Sequence, residues 1–177
     1  AGDKAATYVK DGMVVGLGTG STAYHMVNAV GEMVKNGLKI QAIPTSKATE
    51  AQARELGIPL LTIDELDHVD LAIDGVDEID PQFNAIKGGG GALYREKVVA
   101  SVAKEVIWIM DESKLVDKIG AFHLPVEIAQ YGSKQAMERM AGYGWNPVLR
   151  VRDGKTFVTD NGNYIARSEE HTSELQS

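Results

Sequence analysis

From Met13 to Met110 short β-branched runs alternate with longer stretches of helical period, and this alternation restricts the fold more than any other feature. MVVGLG (13–18) reads as a buried strand, followed by a Gly/Thr/Ser loop and a helix from about Ala23 to Val34. KIQAI (39–43) is the next strand, and KATEAQARELG (47–57) is a helix ended by Gly57. PLLTI (59–63) and DLAID (70–74) read as strands, the second almost continuously apolar, as a strand covered on both faces is. ALYREKVVASVAK (92–104) is helical, and EVIWIM (105–110) is a strand. Strand–helix alternation at this spacing predicts an α/β fold with a doubly wound, mostly parallel Rossmann-like sheet.

After Lys114 the texture changes. HLPVEI (123–128), a helix from about Ser133 to Met140, PVLRVR (147–152) and TFVTD (156–160), the last two joined by the turn Asp153-Gly154, predict a second, smaller α+β subdomain. The expected division is a Rossmann-like main domain over 1–120 and the subdomain over 121–166. RSEEHTSELQS (167–177) has one apolar residue, Leu175, and neither period. It resembles a translated sequencing adapter and is expected to be a non-native tail.

Charge and composition narrow the function. With 25 Asp+Glu against 18 Lys+Arg the net charge is -7, and an acidic surface repels phosphate backbones, so no nucleic-acid partner is expected. The absence of cysteine removes disulfides, thiolate nucleophiles and Cys-ligated metals. Apolar runs such as VIWIM are far shorter than a membrane span, and no signal peptide pattern leads the chain. No membrane association and a cytoplasmic location are the expectations.

In an open α/β sheet, ligands bind beyond the carboxyl ends of the strands. GTGST (18–22), PTSK (44–47), DGVDEID (74–80) and DESK (111–114) sit at such ends, and KGGGG (87–91) opens a helix. GLGTGST is neither a Walker loop nor a dinucleotide fingerprint, since no Gly-Lys-Ser/Thr follows and Ser21 replaces the third glycine. It leaves the hydroxyls of Thr19, Ser21 and Thr22 at a helix N-terminus, which suits a phosphate; an ordinary N-cap explains the loop equally well. Four consecutive glycines cost backbone entropy, and close approach of amides to an oxyanion is one compensating reason. Asp74, Asp77, Glu78 and Asp80 lack the spacing of a calcium loop. One or two of them are candidates for handling hydroxyl protons, with Lys87 countering negative charge.

Counting about 100° per residue from Ala92, Glu96 falls near 40°, between Ala103 near 20° and Ala100 near 80°. Lys97, Ser101 and Lys104 share the opposite arc. Glu96 therefore interrupts the apolar stripe, where a carboxylate needs a partner or a raised pKa, and it is either a structural ion-pair member or a general base.

GLGTGSTA (16–23), PTSKATEAQA (44–53), DLAIDGVDEID (70–80), IKGGGGALYREKVVA (86–100), DESKLVD (111–117), LPVEI (124–128) and VTDNGNYI (158–165) together resemble the type A ribose-5-phosphate isomerase family. The resemblance is collinear from about residue 5 to 165. It implies interconversion of ribose 5-phosphate and ribulose 5-phosphate through a cis-enediolate, without metal or organic cofactor, in a homodimer or homotetramer. By position Glu96 matches the proton-transferring base, and Asp74, Asp77 and Lys87 match the groups for ring opening and the O1/O2 protons. Thr19, Gly20, Ser21, Thr22, Gly75, Val76, Lys114 and the amides of Gly88, Gly89 and Gly90 match substrate and phosphate contacts. Val76 stands where many relatives carry alanine. Relatives continue past VTDNGN with further strand and helix, so the small subdomain is expected to be incomplete here. Two other functions compete: a non-catalytic sugar-phosphate-sensing domain of a regulator, which would dispense with Glu96, and a coenzyme A transferase using a glutamate nucleophile.

Overall fold

The computed structural model describes residues 1–168. The first elements in chain order are α1 (Gly2–Ala6), β1 (Val14–Leu17), α2 (Ser21–Lys35), β2 (Gln41–Pro44), α3 (Lys47–Glu55), β3 (Val69–Gly75), β4 (Glu78–Ile79) and β5 (Ala85–Ile86). Then come α4 (Leu93–Ser101), β6 (Ala103–Ile109), β7 (Pro125–Ile128), α5 (Ser133–Gly142), β8 (Pro147–Leu149), β9 (Val151–Arg152), β10 (Lys155–Thr156) and β11 (Tyr164–Ser168). No helix among the described residues is long and apolar enough to cross a membrane.

Two compact units divide these elements, and the first takes Ala1–Val76 and Tyr94–Glu112. Its sheet is parallel throughout, in the order β2-β1-β3-β6, as the alternation predicts. Both faces are covered, so the strands are apolar on both sides. On one face Val15, Leu17, Leu71 and Ile73 meet Met26, Val27 and Val30 of α2 and Ala5 and Ala6 of α1. On the other, Ala72 meets Val99 of α4, with Val14 and Val106 alongside.

Two expected elements of the first unit differ, and in the second TFVTD (156–160) is a strand only at Thr156, the end of β10. PLLTI is not a strand: Leu60 makes a single bridge to Ala42, and a 3₁₀ turn occupies Ile63–Glu65. Glu65 Oε2 accepts the Thr62 N–H at 2.7 Å and the Thr62 hydroxyl at 2.9 Å, which takes that amide out of any ladder. The helix expected to reach Lys104 ends at Ser101, whose hydroxyl donates to Val98 O at 2.7 Å. Ala103 already pairs with Val69 in the sheet.

The second unit takes Asp77–Leu93 together with, among the described residues, those from Ser113 to Ser168, so both units are discontinuous. The reason lies in hydrogen bonding. β4 and β5 form an antiparallel hairpin, Val116 N–H donates to Ile79 O at 3.0 Å, and buried Glu78 binds the amides of Gly120 and Phe122. β11 is the centre of an antiparallel sheet in the order β7-β11-β8. PVLRVR splits at Arg150: β8 pairs with β11, whereas β9 turns through Asp153 and Gly154, at φ 51° and 73°, to pair with β10. Positive φ at both central residues fits a tight hairpin turn.

Arg167 and Ser168, expected in the tail, belong to β11. Arg167 pairs with Pro125 and Val148, and Ser168 pairs with Pro147 and is buried. A ladder needs backbone groups rather than apolar side chains, so polarity alone is a poor stop signal. The rest of the expected tail lies outside the described residues.

Candidate active site

In the first unit all four strands point their carboxyl ends to one edge, and the chain leaves β1 there through Gly18–Gly20. Gly18 N–H donates to Ile73 O at 2.9 Å, which ties the loop to β3. A Cβ on Gly18 would overlap the Asp74 carboxylate, so this loop lies directly against the acid. Asp74 is 6% exposed, and its Oδ1 accepts the Thr19 N–H at 3.1 Å and the Gly75 N–H at 2.8 Å. Val76, just beyond Gly75 at the end of β3, is buried.

Hydroxyls join this loop to the one after β2. Thr19 Oγ1 lies 2.8 Å from Thr45 Oγ1, which donates to Leu17 O at 2.9 Å. Thr49 Oγ1 donates to Gly18 O at 3.0 Å, and Ser46 caps α3 by accepting the Thr49 N–H at 3.1 Å. Gly20 is the N-cap of α2 and no side chain caps that helix, so Ser21 and Thr22 are not the ordinary capping hydroxyls that the loop alone permits. The first turn of α2 carries no acidic residue, so its partial positive charge suits an anion.

Glu96 enters this unit from α4 and is 6% exposed, on the buried face that its helical angle predicts. It lines one narrow cleft with Asp74, Gly18, Thr45 and Trp108. Two buried carboxylates and the Thr45 hydroxyl thus line one narrow cleft beside the strands of a parallel sheet.

The second unit holds the remaining candidates. The Asp77 Oδ2 accepts the Gly89 N–H at 2.8 Å, and a Cβ on Gly89 would overlap that carboxylate. Lys87 is half-buried directly after β5, Gly88 is buried and Gly90 exposed, and Lys114 is half-buried. The acidic run of the sequence therefore divides by role. Glu78 is 6% exposed and holds two backbone amides at 2.8 and 2.7 Å, which makes it structural. Asp80 ties the β4–β5 turn; the Asn84 side chain, then the amides of Asn84 and Gln82, hold its carboxyl below the usual range.

Three contributors escaped the sequence reading. Thr45 and Thr49 carry the hydroxyl network; Thr45 lies in the PTSK cluster, but nothing there shows the hydroxyl pointing to Thr19. Arg150 donates to Gly89 O at 3.1 Å and Gly88 O at 3.3 Å from 61 and 62 residues away. Burial pulls its pKa below the usual guanidinium value, nearby Arg152 adds to that, and Asp77 opposes it.

The model of the family ribose 5-phosphate isomerase A (phosphoriboisomerase A) matches residues 41–174. The chain belongs to this family. It is 58% identical over 166 residues to ribose-5-phosphate isomerase A of Streptococcus gordonii, covering 93% of this chain and 74% of that one. The solved ribose 5-phosphate isomerase of Plasmodium falciparum superposes with a TM-score of 0.93 at 42% identity, over 98% of this chain and 79% of that one. A D-ribose-5-phosphate isomerase solved in complex with phospho-erythronic acid superposes at 0.89 and 36% identity, over 95% and 76%. Ribose 5-phosphate isomerase A structures thus share the parallel sheet and its helices with this chain.

Proposed function

We propose that the chain isomerises ribose 5-phosphate to ribulose 5-phosphate, with Glu96 as the base. The observation that carries this reading is the burial of Glu96 in one cleft with Asp74, under a hydroxyl-lined loop that opens a helix. Family membership supplies the substrate.

Glu96 removes the proton from C2 of the open-chain aldose, and the electron pair moves onto C1–O1 to give the cis-enediolate. The same carboxyl returns the proton to C1, O2 gives up its proton as the C2=O2 bond forms, O1 gains one, and the ketose results. No atom is gained or lost, and no oxidant enters. Asp74, Asp77 and Lys87 open the sugar ring and handle the O1 and O2 protons. Gly75 and Val76 border the sugar, and the amides of Gly88 and Gly90 stabilise the negative oxygens, while the Gly89 amide holds Asp77. A weakly acidic carbon needs this stabilisation as much as it needs a base. Gly20, Ser21, Thr22 and Lys114 take the phosphate, and Thr19 positions Asp74 through its amide. The ligand of the solved relative supports this chemistry: the carboxylate of phospho-erythronic acid presents a planar pair of oxygens on one carbon, where the enediolate presents O1 and O2 in one plane on two adjacent carbons.

Glu96→Gln tests the reading. It keeps the shape and removes the base, so kcat falls by about 10²–10⁴-fold, measured by ribulose 5-phosphate formation. An unchanged kcat removes Glu96 from this role. The working protein is proposed to be a cytoplasmic homodimer or homotetramer, a state that light scattering reads directly.

A further inference from the structure

The glycine-rich loop of the second unit is gripped from two sides. Arg150 sits where one ladder gives way to another: its N–H donates to Ile165 O at 2.8 Å, and its C=O accepts from Phe157 N at 2.9 Å. Those bonds fix the residue at the root of its side chain. Its guanidinium then reaches two successive carbonyls, Nη2 to Gly88 O at 3.3 Å and Nη1 to Gly89 O at 3.1 Å. The ring of Phe157 lies beside it, 5.8 Å from the guanidinium carbon. From the other direction, Asp77 Oδ2 takes the Gly89 N–H at 2.8 Å.

Peptide planarity turns these contacts into a statement about direction. No cis peptide occurs among the described residues, and in a trans peptide the C=O of one residue and the N–H of the next point opposite ways. Gly88 C=O faces Arg150, so Gly89 N–H faces away from it, where it meets Asp77. Gly89 C=O also faces Arg150, so Gly90 N–H likewise points away from the guanidinium. Gly90 is exposed, whereas Gly88 is buried. Glycine peptides have the widest choice of backbone states, and within residues 88–91 the Gly91 N–H bond to Gly88 O, at 3.0 Å, closes a turn that the Arg150 contacts reinforce.

We propose that Arg150 is a positioning residue for the isomerisation: it locks the Gly88–Gly89 and Gly89–Gly90 peptides so that the Gly90 N–H is presented to an enediolate oxygen beside Asp77. The proposal rests on the isomerase reading. Oxyanion donors work because they are oriented before charge develops, and a flipped peptide offers an oxygen in place of a hydrogen. Arginine suits the task because its planar fork reaches two acceptors at once; lysine has a single ammonium.

The test uses the full chain with Arg150→Met and Arg150→Lys. Kinetics give kcat and KM for ribose 5-phosphate, and NMR hydrogen exchange reads the amides of Gly88–Gly91. Arg150→Met is expected to lower kcat by about 10–100-fold, with KM changed less than about threefold, because the loop is competent only part of the time. Arg150→Lys falls between that variant and wild type, and the Gly89 and Gly91 amides, bonded to Asp77 Oδ2 and Gly88 O, exchange faster in both. Unchanged exchange, or an unchanged kcat per folded molecule, overturns the proposal. Should Arg150→Met fail to fold, Arg150→Lys decides by the same readings. An inactive wild-type chain overturns the isomerase reading instead, and unchanged exchange in the variants would then still show that Arg150 does not hold the loop.

Discussion

Glu78→Gln changes one atom of a buried side chain and separates the structural carboxylate of the acidic run from Asp74 and Asp77, the neighbours proposed as catalytic. Glu78 is 6% exposed and accepts two backbone amides, Gly120 N–H at 2.8 Å and Phe122 N–H at 2.7 Å. Glutamine keeps the shape but offers one acceptor, so its NH₂ confronts one of those amides. A buried donor left without an acceptor costs about 1–3 kcal/mol, and the surviving bond loses its charge assistance, about 1 kcal/mol more. The sum is about 2–4 kcal/mol, and a chain of this size loses about 2–4 °C of Tm per kcal/mol. A fall of roughly 5–15 °C is therefore expected by scanning fluorimetry. Below the melting range the variant is expected to keep kcat within about twofold of wild type, because Glu78 touches no reacting atom. A Tm within about 2 °C of wild type would show that the two amide bonds carry little stability. A collapsed kcat at unchanged Tm would return Glu78 to the catalytic set and refute the division of roles.

Two further perturbations probe the first unit. Gly18→Ala drives a Cβ into the Asp74 carboxylate and displaces it and the Thr19 amide, so kcat is expected to fall by about 10²-fold in a chain that keeps its circular dichroism. A wild-type kcat would show that the placement of Asp74 is unimportant. Asp70 lies below its ordinary value of 3.8, held there first by the Lys104 hydrogen bond and then by the Val14 amide. A depressed carboxylate contributes stability above its unfolded pKa and loses it as pH falls through the folded one. Lys104→Met is expected to melt about 1–3 °C below wild type at neutral pH, since the pair is partly exposed, and the two melting curves should converge as pH drops below 3.8. A constant gap across that range would assign the effect to something other than the ion pair.

The sheet was legible because its strands are buried on both faces and separated by clear helical periods. Glu96 was legible because an angle on a helix is a property of the sequence alone, and the buried face it predicts is the one observed. Asp77 and Glu78 were not separable, since adjacent residues of an extended chain point to opposite sides and nothing local says which side faces the glycine loop. PLLTI has the apolar run of a strand, and only the capture of the Thr62 amide by Glu65 diverts it. Arg150 lay beyond reach for another reason. Its partners are 61 and 62 residues upstream, and its neighbours spell an ordinary β-hairpin.

The discontinuity of the first unit sets an order of events during synthesis. β1, β2 and β3 are complete by Gly75, but α4 and β6 come only after the excursion of residues 77–93. On a ribosome adding about 5–20 residues per second, β3 is for a time an edge strand, with Leu71, Ala72 and Ile73 facing no partner on that side. A chain stalled in the glycine-rich loop would therefore display an apolar edge ready to pair with another copy. The emergence of Ile109 completes β6 and covers that edge.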